Sequence, residues 1–302
     1  MSDSIELLSV FGQLQSQSDR LAVIERCKTI REEFRKGISS TNVLHRNNVN
    51  VAGSGKAMVF AHGFGCDQNM WRYVAPSFSS QFTTVLFDHV GSGDSDAQAY
   101  DPDKYSSLDA YALDVAEIGR ELKLQNAVFV GHSVSSMIGA LVAQKAPGMF
   151  DRLVMVGPSP RYINDGTYYG GFSREQIEGM LQSMEDDYLG WSAQMAPVIM
   201  GNTDRPELAE ELARSFCKTD PRMAKQFAKV TFTSDCRGAL SRTDVSTLIL
   251  QCSDDVIAPA EVGEFVHQEI AGSKLIYLRA TGHCPHLSAP AEVISEVRQF
   301  VC

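Results

Sequence analysis

Eight residues, Val128-Phe129-Val130-Gly131-His132-Ser133-Val134-Ser135, restrict this chain more than any other stretch. The β-branched and aromatic run reads as a buried strand, and it ends in a glycine. A serine follows two positions later, then a helix-compatible segment from Ser136 to Ala143. That order predicts a strand, a sharp turn and a helix, with the serine hydroxyl pushed out at the turn. A hydroxyl displayed this way attacks a carbonyl if a histidine takes its proton and nearby N–H groups hold the oxyanion.

The 302 residues are enough to bury a large core, as one α/β domain or two smaller ones. The net charge of −10 argues against nucleic acid as the main partner, because that task needs a basic surface. Apolar runs fall short of membrane-spanning length. Met1 to Glu6 lack a basic region followed by an apolar stretch, so no secretory signal is expected. Seven scattered cysteines, an odd count, fit reduced thiols and a cytoplasmic setting.

Residues 1–41 carry Leu7, Phe11, Leu14, Leu21, Ile24, Cys27, Ile30 and Phe34 at spacings of three, four or seven. Such spacing predicts a helical N-terminal extension, either packed on its own domain or engaging a partner or second copy. From Leu44 the pattern turns to strands. Leu44 to Arg46 and Val49 to Ala52 read as short extended pieces. Buried strands are expected at Met58–Ala61, Thr84–Phe87, Val128–Val130, Leu153–Val156, Leu248–Gln251 and Leu275–Leu278. Helical patterns lie between most of them, which predicts an α/β fold with a mostly parallel sheet covered on both faces. The alternation breaks over residues 159–242, where four helical segments run without a strand. They read as a cap inserted after the sixth strand of residues 42–302. A cap over an exposed serine creates a pocket, and Trp191, Met195 and Phe232 are candidates to line it.

Ser133 needs a base, and His283 follows the last strand in the turn Thr281-Gly282-His283. His286 competes, but it lies past Pro285, where the final helix approaches. An orienting carboxylate is expected after the strand Leu248–Gln251, from Asp255 or its neighbour Asp254, with Asp255 preferred. The order Ser, Asp, His suits this architecture. The oxyanion donors are expected to be the N–H of Val134 and that of Phe64 in His62-Gly63-Phe64-Gly65. Asp88-His89-Val90-Gly91-Ser92-Gly93-Asp94-Ser95 lacks a Walker lysine and a full dinucleotide fingerprint, so it reads as a structural turn. His283-Cys284-Pro285-His286 lacks the further ligands a closed zinc site needs. Cys66, Cys252 and Cys284 lie in or beside these loops and read as buried, inert thiols.

Together, His62-Gly63-Phe64-Gly65, Gly131-His132-Ser133-Val134-Ser135, Asp255 and Gly282-His283 resemble the α/β-hydrolase fold. Several segments over residues 42–302 narrow the likeness: His62 to Gln68, Val156-Gly157-Pro158-Ser159-Pro160, Tyr168-Tyr169-Gly170-Gly171-Phe172, Gln226-Phe227-Ala228-Lys229 and Gly282 to His286. They resemble the RsbQ-like stress-response regulators, a group that includes the plant karrikin and strigolactone receptors. The elbow departs from the general hydrolase pattern, with Ser135 where glycine is usual. The helical extension has no counterpart in the regulator.

The resemblance implies a signalling regulator that binds, and slowly hydrolyses, a small apolar ester or lactone without a cofactor. It also implies a protein partner, a PAS-domain phosphatase in the RsbQ-like case. A metabolic serine esterase and a non-catalytic ligand-binding module remain the alternatives from sequence.

Overall fold

The computed structural model describes residues 42–302. The expected N-terminal extension, residues 1–41, lies outside the described residues. Seven strands form one sheet in the order β1-β3-β2-β4-β5-β6-β7. They are β1 Asn50–Gly53, β2 Lys56–Ala61, β3 Phe82–Phe87, β4 Ala127–His132, β5 Phe150–Val156, β6 Ser246–Asp254 and β7 Lys274–Thr281. Only β1 runs antiparallel to its neighbour. The longer helices are α1 Leu108–Glu121, α2 Val134–Lys145, α3 Arg174–Asp186, α4 Tyr188–Met200, α5 Pro206–Lys218, α6 Pro221–Thr233, α7 Ala260–Glu269 and α8 Pro290–Val301.

The inner strands β2, β4, β5 and β6 are apolar on both faces because both are covered. The edge strand β1 is exposed, and β7, expected as a buried strand, buries only Leu278 because it lies at the other edge. Met58, Phe60, Val128, Val130, Val154, Val156, Leu248 and Leu250 pack with Trp71, Phe78, Val293 and Val297 on one side. On the other, Phe129 lies against α2, where a Cβ on Gly139 would come within 2.5 Å of its ring. Each such side chain contributes about 1.5–3 kcal/mol on burial. Continuous Val, Leu and Phe runs are therefore what a parallel sheet requires.

One expectation is corrected. Leu44–Arg46 is not extended but part of the short helix Val43–Arg46. The Asn42 side chain accepts hydrogen bonds from the Leu44 and His45 N–H groups, which favours a helical turn. The buried Arg46 guanidinium then reaches Asp114 and Glu117. The insertion therefore follows the fifth strand, not the sixth. Its helices α3 to α6 lie between β5 and β6.

The strand order reverses beside β2. Strand β3 leaves to one side of it and β4 to the other. Loops at such a point diverge and open a crevice at the carboxyl ends of the strands. The turns after β2 and β4 are the ones that carry His62-Gly63-Phe64 and Ser133.

Candidate active site

Ser133 stands between β4 and α2 with φ 56° and ψ −123°. A non-glycine residue in such a region carries about 1–3 kcal/mol of strain, so the surroundings must hold it there. They do so by hydrogen bonds and close packing. The Ser133 N–H donates to the Val156 carbonyl at 2.8 Å, and the Ser136 N–H donates back to the Ser133 carbonyl at 2.9 Å. A Cβ on Gly131 would sit 2.6 Å from the Ser135 backbone, so only glycine lets the chain turn this tightly.

His283 follows β7 and is buried with Asp255 and Ser133. Its Nδ1 lies 2.8 Å from Asp255 Oδ2, and its Nε2 lies 2.8 Å from Ser133 Oγ. A proton on Nδ1 pointing at the carboxylate leaves Nε2 as a bare acceptor for the serine hydroxyl. The other carboxylate oxygen of Asp255 accepts the Ile257 and Ala258 N–H groups at 2.9 and 3.0 Å. Its side chain thus has one position open to it. A register shift in β6 between Cys252 and Asp254 breaks the strand alternation. Asp254 is left exposed, its carbonyl accepting the Gly282 N–H, while Asp255 is the buried carboxylate facing the histidine.

The competing histidine has a different place. His286 is fully buried, its ring 4.6 Å from Trp71 and 4.4 Å from His132. Neither of its nitrogens has a hydrogen-bond partner among the described residues. Burial drives its pKa down to about 3, helped by repulsion from His283 and Arg72, so it is neutral. His132 donates from Nε2 to the His283 carbonyl at 2.8 Å, which pins the backbone of the histidine turn. The fourth helix joins in. The His283 N–H donates to the Ile199 carbonyl at 2.8 Å, and Asn202 bonds the Thr281 carbonyl at 3.1 Å.

A narrow apolar cavity opens above Ser133. Phe64, Trp191, Met195 and Phe232 line it together with His283, so the three pocket residues expected from sequence meet the serine here. Phe64 sits at the centre of an aromatic cluster, with Trp191, Phe216, Phe227 and Phe232 at centroid distances of 5.7–6.3 Å. Val134 directly follows Ser133 as the first residue of α2 and is buried. Gly63 packs on the serine: a Cβ there would lie 3.2 Å from Ser133 Cβ and 2.5 Å from His132 Nδ1.

Sequence reasoning missed Tyr162. Its hydroxyl lies 3.3 Å from Ser133 Oγ. With the serine proton directed at His283, the phenol is the donor in this pair. Burial raises its pKa, which keeps it protonated. Only its place shortly after β5, the strand beside the elbow, could have signalled this. Cys66 and Cys284 also line the cavity, and burial pushes both thiols up, away from the reactive thiolate form.

The arrangement has clear likenesses. A family model described as the alpha/beta hydrolase family matches residues 58–296. A strigolactone esterase of Arabidopsis thaliana is 36% identical over 264 residues, covering 87% of this chain and 98% of that protein. A karrikin insensitive 2 receptor of Petunia hybrida is 36% identical over 250 residues, covering 82% and 93%. Among solved structures, a hydrolase from Oleispira antarctica superposes with a TM-score of 0.84 at 41% identity, covering 87% of this chain and 97% of that one.

Proposed function

The chain belongs to the α/β-hydrolase family, and from that premise we propose that it hydrolyses a small apolar carboxylic ester or lactone by a serine mechanism. The observation that carries this reading is the unbroken hydrogen-bond line Ser133–His283–Asp255, 2.8 Å at each link. Ser133 Oγ attacks the carbonyl carbon while its proton passes to His283 Nε2. Asp255 holds the ring in the required tautomer and stabilises the imidazolium. The carbonyl oxygen becomes an oxyanion held by the N–H groups of Val134 and Phe64. Collapse breaks the bond to the leaving oxygen, which takes the proton from His283. Water then repeats the sequence on the acyl-enzyme, with His283 as base and Ser133 Oγ as the group expelled. The balance closes: the Ser133 proton leaves on the alcohol oxygen through His283, and a proton from water returns to Ser133 Oγ by the same route.

The apolar lining supports an apolar acyl or lactone substrate. The helices α3 to α6 act as a cap over it in this reading. One plant relative is named an esterase and the other a receptor. We therefore place turnover within a signalling role, in which a protein partner such as a PAS-domain phosphatase reads ligand capture. Fast turnover of simple acyl esters with no protein partner would favour a metabolic esterase instead.

Ser133→Ala tests the chemistry. The variant is expected to lose labelling by a fluorophosphonate probe and to lose at least about 10⁴-fold in ester turnover. Labelling that persists in the folded variant would defeat the assignment.

A further inference from the structure

Ser135, where the general elbow pattern has glycine, is fully buried and sits in a hydrogen-bonded brace beneath the turn that carries Phe64. Its hydroxyl donates to the His62 carbonyl at 2.5 Å. That single proton being used, the contact at 2.8 Å with His89 Nε2 must run the other way, with His89 donating to Ser135 Oγ. His89 Nδ1 is then a bare nitrogen, and it has no partner among the described residues. The His89 N–H in turn donates to His62 Nε2 at 3.1 Å, which fixes the proton of His62 on Nδ1, where it donates to the Gly63 carbonyl at 2.8 Å. The ring of contacts closes through consistent tautomers. Burial lowers the pKa of both histidines, so both remain neutral and the pattern is stable.

This brace grips the two peptide groups on either side of Gly63. The His62 carbonyl is held by Ser135, and the Gly63 carbonyl by the His62 ring. The peptide that joins Gly63 to Phe64 owns the Phe64 N–H. In the oxyanion reading that N–H faces Ser133. The Gly63 carbonyl of the same peptide is held by the His62 ring and by the Cys66 N–H. Ser135 holds the preceding peptide by its His62 carbonyl, so together they resist a rotation that would turn the N–H away. Ser135 lies two residues beyond Ser133, so the same short segment that displays the nucleophile also holds the opposite wall.

We propose that Ser135, supported by His89, is a positioning residue that orients the Phe64 N–H toward the oxyanion. The inference rests on the oxyanion role proposed above. It explains why two buried histidines that touch neither Ser133 nor the cavity lie beneath the site. It also assigns a use to the departure from glycine.

Paired oxo- and thionoester substrates test it, since sulfur is a poor hydrogen-bond acceptor and gains little from an oriented donor. The wild-type protein is expected to prefer the oxoester in kcat/KM. In Ser135→Ala the oxoester should slow about 10- to 100-fold, less than the roughly 10²–10³-fold cost of removing an oxyanion donor outright because the donor is only loosened, while the thionoester slows far less, so the preference shrinks about tenfold or more. His89→Phe removes the donor to Ser135 and should shrink the preference in the same direction. Its ring would sit among Phe87, Tyr111 and Phe227, which already surround His89. If Ser135→Ala does not fold, His89→Phe decides the matter alone. Parallel losses on both substrates, or an unchanged preference in folded variants, would overturn the proposal while leaving the oxyanion hole intact. A wild-type protein without any oxoester preference would sink the oxyanion hole itself, and this inference with it.

Discussion

The strand-end turns and the four-helix insertion meet at Ser133, but they are held by different forces. The turns after β2, β4, β6 and β7 are fixed by directional contacts. Asp255 uses both carboxylate oxygens, and His132, Ser135, His62 and His89 tie backbone to backbone. The insertion is held mainly by apolar packing, with Ile177, Met184, Leu212, Phe216 and Ala228 in one cluster. Hydrogen bonds are steep in angle and distance, so they fix the position of reacting atoms. Apolar contacts are nearly directionless, so a wall made of them tolerates exchange of shape. In the mechanism proposed above, the chemistry and the choice of ligand therefore reside in separable parts. Their joint is narrow: Gly201 at the end of α4 lies against Gly282, and the His283 N–H bonds the Ile199 carbonyl.

The largest effect should come from breaking the directional side. Asp255→Asn keeps the shape but offers an N–H or a weaker acceptor to His283, and so removes the tautomer that Ser133 needs. Turnover is expected to fall about 10⁴-fold with the fold retained. A loss below tenfold would mean the carboxylate is not orienting the ring. The apolar side should respond differently. Met195→Ala enlarges the cavity wall and is expected to alter the ranking of short and bulky acyl esters by about tenfold, with little change for the smallest ester. A uniform loss across esters would contradict the division.

A separate effect, on stability and not on turnover, concerns the buried histidines behind the turns. His286 has a folded pKa of about 3, well below its unfolded value. Between those values the unfolded chain binds a proton that the folded chain refuses. Stability is therefore fully present above about pH 6.5 and lost as pH falls, by up to about 1.4 kcal/mol per pH unit for this one group. His286→Phe should reduce the loss between pH 6.5 and 4 by about 2–3 kcal/mol in urea titrations. An unchanged acid slope would show that His286 is not the group responsible.

Much of the strand-end chemistry was legible because it depends on local order. A strand, a glycine and Ser133 two residues later describe one turn, and the loops after parallel strands converge on one edge. Asp255 and Asp254 could not be separated by spacing, since the β6 register shift that buries one and exposes the other is a property of the folded sheet. Leu44–Arg46 misled because three residues with a single apolar side chain do not distinguish a strand from a capped turn. Tyr162 was hidden for a related reason. Its hydroxyl reaches Ser133 through the path of the chain after β5, and no periodicity encodes that path. The Ser135 brace was visible only as a departure from glycine; the carbonyl it serves lies 73 residues away.

The claim beneath all of this is that one imidazole makes the Ser133 hydroxyl nucleophilic. The most direct measurement is peptide mass spectrometry of the protein quenched during turnover of a slowly released acyl ester. An acyl mass carried by the peptide containing Ser133, absent in His283→Ala, is the predicted result. An acyl group found on another residue, or one still formed at Ser133 at the wild-type rate without His283, would contradict it.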